Sequence, residues 1–281
     1  MIQSLHTGTA LGYSAQELAD SPYAGFYDPE LAPLPEDMRE ALLVGAQAAE
    51  LFPALQQADR LLEPGYWPVE TGYTVCADRE VRVCALTRMP GVTPAMLDWW
   101  FAWHGSEGAR YRLWHPRAHV DVAWADGRKD LPHYVGRTSR VVEYVGPTLF
   151  RLAIHFVAPA TLGLNESQLR SRGETAICAR IGLDDLPMLT GWLVHHVRPV
   201  ADGAELRTRI WLGGKHLRPA AMSGRIGGWL GWLAGCLQPI RREQIHELMV
   251  HDAHEMNHLA QFLPGLYATF AHSPVDTTRT E

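Results

Sequence analysis

Residues 138–212 contain a run of short β-strand patterns, and this run constrains the fold more than any other feature of the sequence. The candidate strands are separated by turn residues such as Ala201-Asp202-Gly203, and they cover residues 138–145, 149–157, 176–182, 191–200 and 205–212. We recognise no helical crossover between them, and parallel neighbours would need one. The pattern therefore predicts a mostly antiparallel sheet.

Helical patterns lie on both sides of this run. Residues 34–62 have apolar positions at helical spacing, and Pro53 is expected to divide them into two helices. Thr93-Pro94 provides an N-cap and a first-turn proline for a helix over 95–104. A last helical pattern runs from Gln238 to Leu263, where Pro264-Gly265 is expected to end it. Residues 72–86 alternate like two further short strands.

These elements together predict an α+β fold of the helix-grip type. In this fold a curved antiparallel sheet surrounds one long C-terminal helix and leaves a cavity between them. We expect a helical N-terminal segment over residues 1–68, with a role in oligomerisation, and a catalytic domain over 69–281. The whole is expected to form a homodimer.

Composition excludes several classes of function. A formal charge of −6 leaves no basic field to hold a nucleic acid. The four cysteines are scattered without a C-x-x-C pair, which indicates neither a disulfide framework nor a thiolate metal site. The N-terminus lacks a basic start followed by an apolar run, and the most apolar stretch, 226–237, is too short to cross a bilayer. We expect a soluble cytoplasmic protein with no membrane partner.

The stretch 251–258, HDAHEMNH, carries the strongest chemical signal. Residues three and four apart share a helix face, so its three histidines and Glu255 form one stripe. One interpretation is the zincin pattern, in which His254 and His258 bind zinc. A second pairs His251 with Glu255 as metal ligands, one turn apart. A third is a solvated polar face without a ligand.

Four blocks, in order, resemble the 2,4-diacetylphloroglucinol hydrolase family, which includes phloretin hydrolases. The last block is 255–267, EMNHLAQFLPGLY. The preceding blocks are 99–104 (WWFAWH) with 111–116 (YRLWHP), 142–146 (VEYVG), and 195–198 (HHVR) with 203–213 (GAELRTRIWLG). Members of this family cut the carbon–carbon bond between an aromatic ring and an acyl group, using a metal ion.

The resemblance implies a ligand set and two catalytic groups. The metal ligands it implies are His115, Glu143, His251 and Glu255, and the expected ion is Zn²⁺ or another first-row divalent ion. For the first ligand, His104 and His119 are competitors of His115. The resemblance further implies that His195 contacts the substrate and donates a proton to the ring, and that Tyr111 binds a phenolic oxygen. The expected partner is a small aromatic or polyketide substrate.

The chain also departs from the family pattern. Ala118 stands where an asparagine is expected, and the third block has no tyrosine at Ile210 and Trp211. A different reaction on the same metal scaffold, such as cyclisation, deacylation or isomerisation, therefore stays open, as does a metal-free protein that binds a hydrophobic ligand. Residues 227–232 are either a wall of the pocket or a buried helix.

Overall fold

The structure is a computed structural model that describes residues 11–221 and 240–271. Its helices are α1 (Ala15–Asp20), α2 (Glu36–Val44), α3 (Pro94–Trp103), α4 (Gly108–Trp114), α5 (Glu166–Arg172) and α6 (Arg242–Phe270). Its strands are β1 (Gly72–Val75), β2 (Glu80–Pro90), β3 (His119–Trp124), β4 (Thr138–Val145), β5 (Thr148–Val157), β6 (Thr175–Leu183), β7 (Met188–Val200), β8 (Gly203–Gly213) and β9 (Arg218–Pro219).

All of these strands belong to one antiparallel sheet. Its order is β1-β2-β8-β7-β6-β5-β4-β3, and the short β9 pairs with β7 beside this path. Hairpins join β4 to β5, β6 to β7 and β7 to β8, whereas β5 is joined to β6 through a connection that contains α5. The predictions of an α+β fold and an antiparallel sheet are confirmed. β3 was not predicted because it is only six residues long and carries Asp121 in its centre.

Helix α6 packs against strands that are far apart in the sheet. Ile245 and Met249 share a core with Val81 and Val83 on β2. Two residues after Met249, His251 faces Glu143 on β4, which is five positions from β2 in the strand order. Neighbouring strands are about 4.8 Å apart and a helix is about 10 Å wide, so a flat sheet could not reach the helix at both places. The sheet therefore curves around α6; the finer helix-grip assignment stays a prediction.

The predicted end of the last helix at Pro264 is wrong. Helix α6 continues through Pro264 to Phe270. A proline inside a helix removes one backbone hydrogen bond and costs about 3 kcal/mol. Leu263 and Leu266, on either side of it, are both completely buried. We attribute the continuation to this apolar burial. The predicted start at Gln238 lies outside the described residues.

The predicted second helix of the N-terminal region is also wrong. Residues Leu55–Leu62 form 3₁₀ turns, while α2 ends at Val44. Met38 and Ala41 of α2 pack in the same core as Ile245 of α6. Among the helices of the described ranges, none is long and apolar enough to span a membrane. Residues 227–232, expected to form either a pocket wall or a buried helix, are not among those described.

Candidate metal centre and substrate cavity

His251 and Glu255 lie one turn apart on the face of α6 that is turned toward the sheet. Their spacing places both side chains on one stripe, with His251 Nε2 3.5 Å from Glu255 Oε2. His251 is buried, and the apolar packing of Met249 and Ala253 holds this part of the helix against β2. The i, i+4 pair therefore faces the space between helix and sheet.

His119 is the first residue of β3, and its ring is fixed on two sides. Its Nδ1 lies 3.0 Å from the carbonyl oxygen of Tyr111, so Nδ1 carries the proton and donates it. The ring stacks on that of Tyr111 with centroids 3.8 Å apart. The opposite nitrogen, Nε2, then lies 3.2 Å from Glu255 Oε2 and 3.7 Å from Glu143 Oε2.

Glu143 reaches the same point from β4. The antiparallel register pairs it with His119 across β3 and β4. Its carboxylate lies 4.0 Å from His251 Nε2 and accepts a hydrogen bond from the Tyr111 hydroxyl. The imidazoles of His119 and His251 and the carboxylates of Glu143 and Glu255 therefore converge, and we refer to these four residues as the cluster.

His119, one of the two competitors of His115 for the first ligand, lies beside His251 and Glu255 in the structure. The donor atoms of His119, His251 and Glu255 lie within 4.8 Å of one another, and this group does not include His115. The His115 ring instead lies beside that of His251, with centroids 5.1 Å apart. It lines a second cavity of about 340 Å³ together with Arg117 and His254. The sequence did not show this because β3 was missed, and with it the register that places His119 opposite Glu143.

The electrostatics of the cluster suit a cation. Burial lowers the pKa of His119 to about 3, which keeps its ring neutral. Its buried Nε2 makes no hydrogen bond within the described chain, although two carboxylates face it. Burial opposes protonation of His251 as well, but Glu255 and Glu143 raise its pKa to about 9. A neutral donor nitrogen among acidic side chains fits the donor chemistry of a divalent metal.

A cavity of about 550 Å³ opens beside the cluster, between α6 and the sheet. Most of its wall is apolar, for example Val141, Leu152 and Leu193. The polar groups that line it include His104 and Tyr111 near α4, Glu143 and His195 on strands of the sheet, and His251, Asp252 and Glu255 on α6. An apolar cavity with a few converging polar groups is typical of a site for a small organic ligand.

His195 projects into this cavity from β7. Its Nδ1 lies 2.9 Å from Thr208 Oγ1, on the neighbouring strand β8. Burial lowers the pKa of His195 to about 4. Thr208 also hydrogen-bonds Asp252, the residue that follows His251 on α6. The sequence analysis missed Thr208 and Asp252; Thr208 lies within the block 203–213, but only the pairing of β7 with β8 shows that it faces His195.

Asp252 and Tyr111 are the most perturbed acids of the site. Burial, followed by the charge of Glu255, raises the pKa of Asp252 to about 8. Burial and the adjacent Glu143 carboxylate raise the pKa of Tyr111 well above its ordinary value. Tyr111 is therefore a neutral phenol that donates to Glu143, and its hydroxyl orients this carboxylate.

Comparison with known proteins identifies the family. Residues 51–268 match the family model described as DAPG hydrolase PhiG domain. The chain belongs to this family. It is 32% identical to the 2,4-diacetylphloroglucinol hydrolase of Pseudomonas protegens, over 89% of this chain and 85% of that protein. It is 30% identical to the phloretin hydrolase of Eubacterium ramulus, over 93% and 94% of the two chains. The resemblance seen in the sequence blocks is confirmed.

A solved structure from Chromobacterium violaceum aligns with 61% of this DAPG hydrolase family chain and 97% of its own. Its sequence identity is 15% and its TM-score 0.28, values too low to support a comparison of folds.

The departures from the family pattern fall on different sides of the group formed by His119, Glu143, His251 and Glu255. Ile210 lines the large cavity, so an isoleucine forms its wall where a tyrosine was expected. Ala118 lines the second cavity instead, beside His115. The two histidines of the zincin pattern also lie outside the cluster: His254 lines the second cavity, and the buried His258 ring contacts Phe262. The geometry therefore gives no support to a zincin site.

Proposed function

We propose that this chain is a metal-dependent hydrolase that cleaves the carbon–carbon bond between a phloroglucinol-like ring and an acyl group. Its relatives are named as hydrolases of 2,4-diacetylphloroglucinol and phloretin, both of which are acylated phloroglucinols. The observation that carries the proposal is the convergence of two histidines and two glutamates at the wall of an apolar cavity.

His119, Glu143, His251 and Glu255 would hold the metal ion. This donor set suits zinc, which is commonly bound by imidazole and carboxylate, and also other first-row divalent ions. When bound, such an ion polarises a carbonyl group and lowers the pKa of a water molecule. The Tyr111 hydroxyl fixes the carboxylate of Glu143, and the Tyr111 carbonyl fixes the ring of His119. Tyr111 therefore orients two of the four ligands.

His195 is the group that we assign to proton transfer. Cleavage by water adds OH to the acyl carbon, which leaves as a carboxylic acid, and adds H to the ring carbon. The Thr208 hydroxyl engages Nδ1 of His195, which leaves Nε2 as the nitrogen available to the cavity. Because His195 is neutral near pH 7, it can deliver a proton from Nε2 only when Nε2 carries it. Asp252, whose raised pKa keeps it protonated at pH 7, can donate to the Thr208 oxygen, so the single hydroxyl proton of Thr208 can be donated to Nδ1 and stabilise that tautomer.

Isotope labelling tests this chemistry. We expect 2,4-diacetylphloroglucinol in H₂¹⁸O to give acetate that carries ¹⁸O, and the reaction in D₂O to give a product with deuterium at the ring carbon that lost its acyl group. Phloretin is the second substrate to be tried, with its arylpropionic acid as the readout. Released acetate that carries no ¹⁸O would contradict the assigned addition of water to the acyl carbon.

Ile210 supports one competing function on the same scaffold. With isoleucine in the cavity wall, one polar contact to a phenolic substrate is replaced by an apolar one. A related acylated polyketide could then undergo cyclisation or isomerisation instead of cleavage. A product of unchanged mass from a metal-loaded protein would favour this alternative, whereas loss of the acyl group as a free acid favours hydrolysis.

A further inference from the structure

His104 is a buried histidine of the cavity wall that the proposed mechanism does not use. It follows the last residue of α3, is 3% exposed, and lines the large cavity. Its ring lies between two aromatic side chains, with centroids 5.2 Å from Trp100 and 6.0 Å from Tyr111, and both pairs are close to parallel. The edge of Phe101 packs against it at 5.5 Å. These contacts fix the plane of the ring.

The hydrogen bond of His104 also fixes its tautomer. Nδ1 lies 2.8 Å from the carbonyl oxygen of Trp100. A carbonyl can only accept, so Nδ1 carries the proton. Burial lowers the pKa of His104 to about 4, which keeps the ring neutral. Nε2, on the other side of the ring, is therefore an acceptor with its lone pair free, and none of the described residues donates to it.

A free hydrogen-bond acceptor in an apolar cavity favours ligands that place a donor group against it. A neutral imidazole nitrogen gains a hydrogen bond from a hydroxyl group and loses its hydration when it faces a C–H, C–F or ether group. Trp100, Phe101 and Trp114, which pack around the His104 ring, carry no side-chain acceptor. His104 therefore distinguishes ligands by the presence of a donor.

We propose that His104 Nε2 accepts a hydrogen bond from a hydroxyl group on the aromatic ring of the substrate and thereby selects ring-hydroxylated substrates. The proposal rests on the proposed function, since it assigns part of the recognition of an acylphloroglucinol-type ring. Tyr111, whose ring is parallel to that of His104, reaches the metal cluster through Glu143. His104 is thus one aromatic ring away from the cluster, on the wall where the ring of a substrate bound through its carbonyl can lie.

Ligand binding tests this proposal without turnover. The probes are phloroglucinol, which has three hydroxyl groups, and 1,3,5-trifluorobenzene, which has a similar size and no donor. We expect the protein as purified to bind phloroglucinol more tightly, as measured by titration calorimetry. His104→Phe keeps an aromatic ring of similar breadth. In this variant the Kd of trifluorobenzene divided by the Kd of phloroglucinol should fall by about tenfold, the value of one hydrogen bond to a buried acceptor.

His155→Phe provides the matched control. His155 lies on β5, is absent from the lining of the cavity, and bonds Thr138 instead. Its substitution should leave the ratio of Kd values unchanged. If His104→Phe does not fold, His104→Met places a flexible apolar side chain in the same space and tests the same claim. A melting temperature and a metal content close to those of the wild type show which variant is correctly folded.

An unchanged ratio of Kd values in a folded, metal-loaded His104 variant would overturn the proposal. Equal weakening of both probes would overturn it too, because that result indicates packing alone. The proposed function fails separately, by the absence of acid release from acylphenols with wild-type protein. The binding experiment on His104 can therefore be interpreted whether or not the wild-type protein releases acid from acylphenols.

Discussion

At the scale of single residues, the site depends on which atom of each side chain is already engaged. His119 and His104 both donate from Nδ1 to a backbone carbonyl, and His195 engages Thr208 through Nδ1. In each case the other nitrogen faces the cluster or the cavity. Because a histidine nitrogen that donates to a carbonyl cannot also accept, these local bonds set the chemistry of the atom that meets metal or ligand.

The choice between His119 and His115 is tested by metal analysis. We expect His119→Ala to lose most of the bound metal, because the variant removes one donor from a four-residue site. His115→Ala should keep it, since its ring faces the second cavity. Metal content per chain, measured after dialysis, gives the comparison. The reverse pattern would restore His115 as the ligand.

Thr208 is expected to act through His195. Thr208→Val removes the hydroxyl but keeps the shape of the side chain, so kcat should fall by about tenfold or more while metal content stays unchanged. Thr208→Ser keeps the hydroxyl and should restore most of the rate. Equal losses in the valine and serine variants would show that packing, and not the hydrogen bond to His195, accounts for the effect.

The pH dependence of stability depends on His104. Its pKa is lowered from 6.5 to about 4 in the folded chain, so the unfolded chain binds the proton first as pH falls. The stability contributed by the neutral ring is complete above about pH 6.5 and is lost as pH falls through 4. His104→Phe should therefore show a shallower decline in free energy of unfolding between these values. Denaturant titrations at several pH values measure the free energy of unfolding. The same decline with falling pH in the wild type and in His104→Phe would contradict this prediction.

At the scale of elements, α6 is the part of the molecule that positions the site, and apolar anchors hold it in place. Met249 is completely buried against β2, two residues before His251. Met249→Ala should lower the free energy of unfolding by about 2–5 kcal/mol through the cavity it creates. Glu243→Ala, at an exposed position on the same helix, is the control and should change it little. Chemical denaturation provides the measurement, and equal effects would exclude the proposed anchoring.

Elements with a regular spacing of apolar residues, or with clear capping or turn residues at their ends, could be predicted from the sequence. The range predicted for β4, 138–145, agrees with the structure, and Thr93-Pro94 marked the start of α3. The long helix was recognised, but its end was placed at Pro264. Local propensity counts the cost of a proline in a helix, and it does not include the burial of the leucines on either side, which depends on tertiary packing. The short β3 and its register with β4 were missed, and this register pairs His119, and not His115, with Glu143. Contacts across the sheet, such as His195 with Thr208, need that register as well.

At the scale of the whole molecule, the curved sheet and α6 border a largely apolar cavity that opens beside His251 and Glu255. Family membership covers residues 51–268, so the sheet, the cluster and the cavity all fall within the shared region. The N-terminal helix α2 packs into the core beside α6. An enclosed apolar space next to a cluster of acidic and imidazole ligands is the arrangement expected for a hydrolase that must exclude all but one water molecule from an aromatic ketone.

The most direct test of the central claim is the metal dependence of acyl release. Purified protein is incubated with 2,4-diacetylphloroglucinol, and acetate is quantified before chelation, after removal of metal, and after addition of Zn²⁺. We expect about one metal equivalent per chain, loss of acetate release on chelation, and recovery with zinc in wild type but not in His251→Ala. Unchanged acetate release from the folded, metal-stripped protein, or no carboxylic acid from any acylphenol by the metal-loaded protein, would contradict the account.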